Sequence, residues 1–208
     1  MTYVAIKLIF IGIAALGATL TAISRAQHRA AIRRKMLAAP RTFEDNALVT
    51  LTGTAKLVGE PLIAPLSGRP CIAFRASART YRLRASQRRQ RELDQEVTEI
   101  VMTPFVLVTA DGDVEVTGDT CELPMRSAPI IPRKLDRERD FMVKAALIGT
   151  PQDSGFDEVV IQPGAKILVH GIARKELATT GAETGFRDAP TQIRITGDEA
   201  HPIAIDLA

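Results

Sequence analysis

The sequence has little of the chemistry that marks a metal site or a disulfide scaffold. Its 208 residues include no tryptophan, two cysteines and three histidines, and aromatic residues make up 4%. The two cysteines, Cys71 and Cys121, are too few to hold a small secreted fold together. The histidines have no metal-ligand spacing. We therefore expect no metal, no cofactor and a core built from aliphatic side chains.

The overall charge balance argues against nucleic acid as a partner of the whole chain. Lysine and arginine number 27 against 24 acidic residues, which leaves a net charge of +3, too small for a nucleic-acid-binding protein. Hydrophobic residues make up 46% and charged residues 25%, which favours a folded domain. The length allows one membrane segment and one domain.

The N-terminal stretch has the length and composition of a membrane span. Residues 3–23 are predominantly apolar, and their only charge is Lys7. About twenty apolar residues match the hydrocarbon core of a bilayer, so we expect a transmembrane anchor over residues 1–24. A cleaved signal peptide is the alternative, but its basic residues should precede the apolar run. Here the basic residues follow it, which places the rest of the chain in the cytoplasm: Arg25, Arg29, Arg33, Arg34 and Lys35.

Residues 25–45 form a basic segment after the anchor. Its alanine, arginine and lysine content favours a helix, which Pro40 ends. Its cations could meet anionic lipid headgroups, worth about 1 kcal/mol each near the surface. A solvated linker helix is the alternative.

Residues 46–208 are expected to form a mainly β domain. Residues 48–58 and 71–83 are rich in β-branched or alternating side chains, which favours strands. Short strands with regular turns predict a small antiparallel barrel or sandwich, of which an OB-like barrel is one form. Residues 85–96 could be a helical insert or a loop, and residues 124–141 suit a surface excursion.

Three strand pairs are predicted from the turn residues. Asp111-Gly112 predicts a hairpin in which Thr109 faces Val114 and Leu107 faces Val116. Pro163-Gly164 fits the centre of a type II turn, which predicts a second hairpin between residues 156–161 and 165–170. Alternating isoleucines predict a closing pair between residues 193–195 and 203–207.

Seven arginines crowd residues 75–91. An arginine-rich strand could bind phosphate from lipid headgroups or from nucleic acid, and the anchor favours lipid. The alternative is a solvated strand and loop that nearby acidic residues neutralise. The candidate binding residues here are Arg82, Arg84 and Arg88.

The most distinctive segment of the sequence runs from Gly59 to Arg75. Two prolines and a Ser-Gly step turn the chain, and Cys71, Ile72 and Phe74 then enter a core strand. Ser67 has no histidine or acid placed to activate it, so we expect its hydroxyl to bond the local backbone. We predict a structural corner with no catalytic residue, whose binding candidates are Pro65, Ser67, Gly68 and Arg69.

This segment resembles the sequences of a known protein family. Gly53-Thr54-Ala55, followed by Pro-Leu-Ile-Ala-Pro-Leu-Ser-Gly-Arg-Pro-Cys-Ile-Ala-Phe-Arg at residues 61–75, is similar to the GIDE/MULAN-type membrane-associated domain. Two later segments, residues 104–112 and 158–171, are similar to the same domain. The resemblance covers residues 48–174, and its segments are in the family's order.

The resemblance implies a β domain held beside a membrane for binding or scaffolding. The family's eukaryotic members are membrane ubiquitin ligases with a second span and a RING, whereas prokaryotic relatives lack that machinery. Beyond Cys121 this sequence has only His170 and His201 as potential RING ligands, and no second apolar run. We expect a RING-less, single-pass protein of the bacterial inner membrane with its domain in the cytoplasm. An E3-like activity or accessory role is the alternative, so whether it is an enzyme stays open.

The expected partners follow from the same features. They are the lipid bilayer, a protein partner and anionic lipid headgroups, with nucleic acid disfavoured. A homo-oligomer is left open.

Overall fold

The computed structural model describes residues 44–83, 91–124, 133–177 and 191–208, together with residues 27, 30–32 and 34. The predicted anchor, residues 1–24, lies outside these residues. Of the basic segment 25–45, residues 27, 30–32 and 34 are helical. No helix within the described ranges is long and apolar enough to cross a membrane.

The domain is mainly β. Its described strands are β1 (Ala47–Leu57), β2 (Leu62–Ile63), β3 (Pro70–Cys71), β4 (Ala73–Leu83), β5 (Arg91–Met102), β6 (Phe105–Thr109), β7 (Gly112–Val116), β8 (Cys121–Glu122), β9 (Gly155–Ile161), β10 (Lys166–Leu177), β11 (Thr191–Thr196) and β12 (Ile203–Leu207). A helix, α1 (Leu135–Lys144), and a short 3-10 turn (Pro151–Asp153) precede β9.

Five strands close a barrel in the order β1-β6-β7-β11-β10, with β10 pairing back to β1. The pairs are antiparallel except β7 with β11, which is parallel. The barrel interior is aliphatic apart from Phe105, as the composition predicts. A closed five-strand barrel therefore confirms the prediction of a barrel, but the prediction that it is antiparallel is wrong at the β7–β11 pair.

A second sheet, in the order β5-β4-β9, flanks the barrel. Its strands are inserted between barrel strands, β4 and β5 between β1 and β6, and β9 between β7 and β10. A second apolar core includes residues from this sheet, from the turn before β3, from β3 itself and from α1: Ala64, Leu66, Cys71, Phe74, Ala76, Ala78 and Phe141.

The first predicted hairpin forms with a different register. Leu107 pairs with Val114 and Thr109 with Gly112, so the loop is two residues long. The Thr109 hydroxyl donates to the Gly112 carbonyl at 2.7 Å and accepts the Asp111 N–H at 3.2 Å, which closes this tight turn. A shift of two residues keeps every side chain on its face, so the apolar face is as predicted although the pairing is not.

The second predicted hairpin is wrong, although its turn is right. Ala165 donates its N–H to the Gln162 carbonyl at 3.1 Å, and Gly164 has φ +84, as a type II turn requires. However, β9 before the turn pairs with β4, whereas β10 after it belongs to the barrel. The turn therefore carries the chain from one sheet to the other.

The predicted closing pair is also wrong. Both β11 and β12 pair with β10, at residues 172–177 and 167–170 respectively. The twelve-residue β10 is long enough for both strands to pair with it end to end along one edge, so they do not pair with each other.

Two segments differ from their predictions. Residues 91–96, predicted as part of a helical insert or a loop, belong to β5 and pair with β4, whereas residues 85–90 lie outside the described residues. Part of the predicted surface excursion is α1, which buries Glu138, Phe141 and Met142. That spacing is typical of one buried helical face, but most of the residues around it are charged, so the segment reads as solvated surface.

Candidate functional site

Residues 64–71, here called the corner, form a tight turn between the two apolar cores. Ala64 donates its N–H to the Arg69 carbonyl at 2.9 Å, and Gly68 donates to the Ala64 carbonyl at 2.8 Å. Gly68 has φ +72, a conformation that favours glycine. The predicted structural role is confirmed, because Cys71 then packs in the second core and Ile72 in the barrel core.

A buried carboxylate holds the corner in place through hydrogen bonds to its backbone. Glu158 of β9 is only 6% exposed. Its Oε1 accepts the N–H of Leu66 at 2.8 Å, and its Oε2 accepts the N–H of Ser67 at 3.1 Å. A buried charge is costly unless such donors satisfy it, so this contact sets where the corner lies on the sheet. Sequence reasoning did not single out Glu158, because nothing local identifies the partner of an acid in a strand.

An ion pair sets the start of α1 beside the corner. Arg133 donates from Nε and Nη2 to the two carboxylate oxygens of Glu138, at 2.8 Å and 2.6 Å. The same guanidinium donates to the Pro151 carbonyl and lies 5.6 Å from the Phe156 ring centroid. The hydrogen bond to Glu138 raises the pKa of Arg133 above its ordinary value. Glu138 is fully buried, so this pair fixes the first turn of the helix.

Two further cations, the N-cap Lys134 and Arg137 of α1, lie over the corner. Lys134 donates from Nζ to the Ser67 carbonyl at 2.6 Å. The Arg137 guanidinium lies directly against Gly68, where a Cβ would come within 2.7 Å of Cζ. The exposed Arg69 follows in the chain. In the part of the chain that the structure describes, neither Arg69 nor Arg137 forms an ion pair.

The other predicted corner residues are structural. Pro65 is half-buried, and Ser67 is 7% exposed. The Ser67 hydroxyl accepts the Arg69 N–H at 3.4 Å, which is the local backbone role expected of it. The structure therefore brings Pro65, Ser67, Gly68 and Arg69 together and adds Lys134, Arg137 and Glu158 to them.

The arginine side chains described in the arginine-rich run already bind groups of the protein itself. Arg75 is 6% exposed and donates to the Leu123 carbonyl. Arg79 pairs with Glu96 at 3.2 Å and with Asp157 at 3.0 Å. Of the three binding candidates, only the backbone of Arg82 is described, in β4. Arg84 and Arg88 lie outside the described residues, so their binding role stays a prediction.

A cavity of about 300 Å³ lies where the helical residues before the domain meet the barrel. Its lining includes Ile32, Leu48, His170 and His201. His170 shares a 2.9 Å hydrogen bond with the Thr50 hydroxyl. No cluster of three or more His, Cys, Asp or Glu side chains suited to a metal occurs among the described residues. The cavity matters because its lining shows that Ile32, which precedes the domain in the chain, lies next to barrel residues.

Comparisons of this chain with protein-family models, curated proteins and solved structures found no match in any of the three.

Proposed function

We propose that this chain is a single-pass, membrane-anchored binding or scaffold protein with no catalytic chemistry of its own. The observation that carries the proposal is the corner, a turn whose backbone is hydrogen-bonded to the buried Glu158 and is also contacted by the cations Lys134 and Arg137. A turn held this firmly can present the exposed Arg69, together with the cations beside it, to a partner without a large entropic cost of ordering.

The position of the corner in the barrel supports binding. We infer an OB-like barrel, because five strands close with a parallel pair between the third and fifth barrel strands, β7 and β11. OB-folds bind ligands with the loop between their first two strands and the loop between their last two. Here the first of these connections is residues 58–104, which include the corner. This support is an analogy of fold.

The proposed anchor places the domain beside the bilayer. Ile32 lines a cavity with Leu48, at the start of β1. Eight residues separate Ile32 from the end of the predicted span at residue 24, and eight residues reach at most about 28 Å when fully extended. The five basic residues from Arg25 to Lys35 favour the cytoplasmic side, with anionic lipid and a protein as partners.

Protease digestion of sealed membrane vesicles tests the anchor and its orientation. We expect the domain to be digested in inverted vesicles and protected in right-side-out ones. The chain should stay in the membrane at alkaline pH, whereas the double variant Ile11→Arg, Ile13→Arg should be released, because each arginine costs about 3 kcal/mol at the centre of a span. Release of the unaltered chain would exclude the anchor, and the reverse digestion pattern would exclude the orientation.

A ubiquitin-transfer assay tests the absence of catalysis. The full chain, incubated with ubiquitin and its charging enzymes, should form no conjugates. Robust conjugate formation would favour the E3-like alternative.

A further inference from the structure

We propose that the corner binds a phosphate group through Arg69, Lys134 and Arg137. This inference rests on the proposed binding function and specifies the chemistry of its ligand. The phosphate could belong to a lipid headgroup or to a small soluble phosphate, and the experiment below separates these two sources.

The local charges leave the corner positive. Arg133 and Glu138 form an ion pair with each other. Glu158 places one carboxylate under the turn, where it accepts backbone N–H groups. Against it stand the three cations of the site, which leave two positive charges for a ligand. A phosphate ester carries between one and two negative charges near neutral pH, so the charges match.

The hydrogen-bond donors of the site also remain available. The Lys134 ammonium has three donors and uses one on the Ser67 carbonyl. The Arg137 guanidinium has five, and none forms a hydrogen bond to the described residues. A guanidinium can hold two phosphate oxygens at once. Two arginines and a lysine can therefore hold all the free oxygens of one phosphate group.

The geometry brings these donors to one place. Lys134 and Arg137 are three residues apart at the start of α1, so they share one helix face. Their cationic groups contact the two ends of the Ser67–Gly68 peptide unit, and Arg69 is the next residue. Lys134 and Arg137 thus lie against a single turn whose position Glu158 fixes, and the exposed Arg69 belongs to the same turn.

The start of α1 makes an anion there favourable. Helix N-termini carry positive partial charge, so cations in the first turn are repelled. The N-cap, Lys134, forms no side-chain cap hydrogen bond. Asp136 and Glu138 in the first turn offset part of this repulsion, and a bound anion would add to that effect.

Phosphate binding can be measured on the full chain in neutral detergent micelles. One arm titrates inorganic phosphate, and a second adds phosphatidic acid to the micelles, with phosphatidylcholine as the uncharged comparison. Arg137→Gln and Arg69→Gln should each weaken binding about tenfold, since a charge-assisted hydrogen bond is lost. The matched control is Arg139→Gln, which removes the same charge two residues away on an exposed face; its affinity should stay within about twofold.

Each outcome decides the question. Specific binding in the phosphate arm indicates a soluble ligand, and specific binding only with phosphatidic acid indicates a lipid headgroup. The proposal is overturned if neither arm shows binding, or if Arg139→Gln weakens binding as much as Arg137→Gln. Arg69 is exposed, so Arg69→Gln keeps the test valid if Arg137→Gln disturbs the fold. Because binding is measured in detergent, its failure is separate from failure of the membrane anchor.

Discussion

Glu158 and Leu66 are 92 positions apart in the sequence, yet Glu158 Oε1 lies 2.8 Å from the backbone nitrogen of Leu66. This contact joins the flanking sheet to the corner. Because the carboxylate is buried, it makes the position of the corner depend on β9, far along the chain.

The first prediction concerns that carboxylate. Glu158→Gln replaces one acceptor oxygen with an NH2 group, so one of the N–H groups of Leu66 and Ser67 loses its acceptor and faces a donor. We expect a loss of about 1 to 3 kcal/mol in the free energy of unfolding, measured by urea unfolding of the full chain in neutral detergent. Glu60→Gln is the control, since Glu60 is exposed in the same stretch. Equal stability of the two variants would contradict the role assigned to Glu158.

The second prediction separates the backbone of the corner from its cations. Gly59 and Gly68 have φ +85 and +72, and a Cβ at Gly59 would meet nothing within 4 Å. Gly59→Ala and Gly68→Ala should therefore both cost about 1 to 2 kcal/mol of stability. Only Gly68→Ala should also weaken phosphate binding, because its Cβ displaces the Arg137 guanidinium. An equal effect of both variants on phosphate binding would argue against that placement of Arg137.

The third prediction is a pH dependence from Cys71. Burial, followed by the charge of Glu158, raises the pKa of this thiol from 9.0 to about 11. A raised pKa stabilises the fold below pH 9, and this contribution is lost as the pH rises to 11, by up to about 2 to 3 kcal/mol.

The measurement compares the unaltered chain with Cys71→Ala. Both should be unfolded in urea at several pH values from 8 to 11, and the unaltered chain should lose more stability across that range. The constant cost of the cavity in the variant does not affect the slope. Parallel slopes would show that the Cys71 thiol does not titrate in this way.

The fourth prediction concerns the ion pair at the start of α1. Arg133→Gln leaves the Glu138 carboxylate, whose side chain is 1% exposed, without its charged partner. We expect a loss of about 2 to 3 kcal/mol, below the full value for a buried pair because Arg133 is 45% exposed. The double variant Arg133→Gln, Glu138→Leu should recover much of that loss.

Arg139→Gln serves as the comparison for this pair. Arg139 lies 3.8 Å from Asp136 in an exposed ion pair, so its loss should cost less than about 0.5 kcal/mol in the same unfolding assay. A double variant less stable than Arg133→Gln alone would show that the pair is not the source of the effect.

Local sequence predicted the strands and turns better than their pairing. Alternation placed Leu107 and Val114 on the barrel face, and Pro163-Gly164 set the turn type. Neither signal could choose a partner strand, because that choice depends on which distant edges are free. A register shift of two residues preserves the alternation, so the sequence could not distinguish the observed register of the first hairpin from the predicted one.

The candidate site was predicted only in part for the same reason. The corner contained its own turn signals, so Gly68 and Arg69 could be singled out. Lys134 and Arg137 belong to a charged segment that is typical of solvated surface, and their relation to the corner exists only after α1 packs on the sheet. Long-range contacts of this kind leave no local pattern.

Closure of the barrel has a consequence for the order of folding. Thr50 in β1 pairs with His170 in β10, 120 positions later. At a synthesis rate of about 5 to 20 residues per second, the ribosome needs about 6 to 24 s to supply the second strand. On the proposed topology, the anchor reaches the membrane long before β1 finds its partner. The nascent domain would therefore wait at the bilayer with an open sheet edge, at the stage when a chaperone or a second copy of the chain could pair with it.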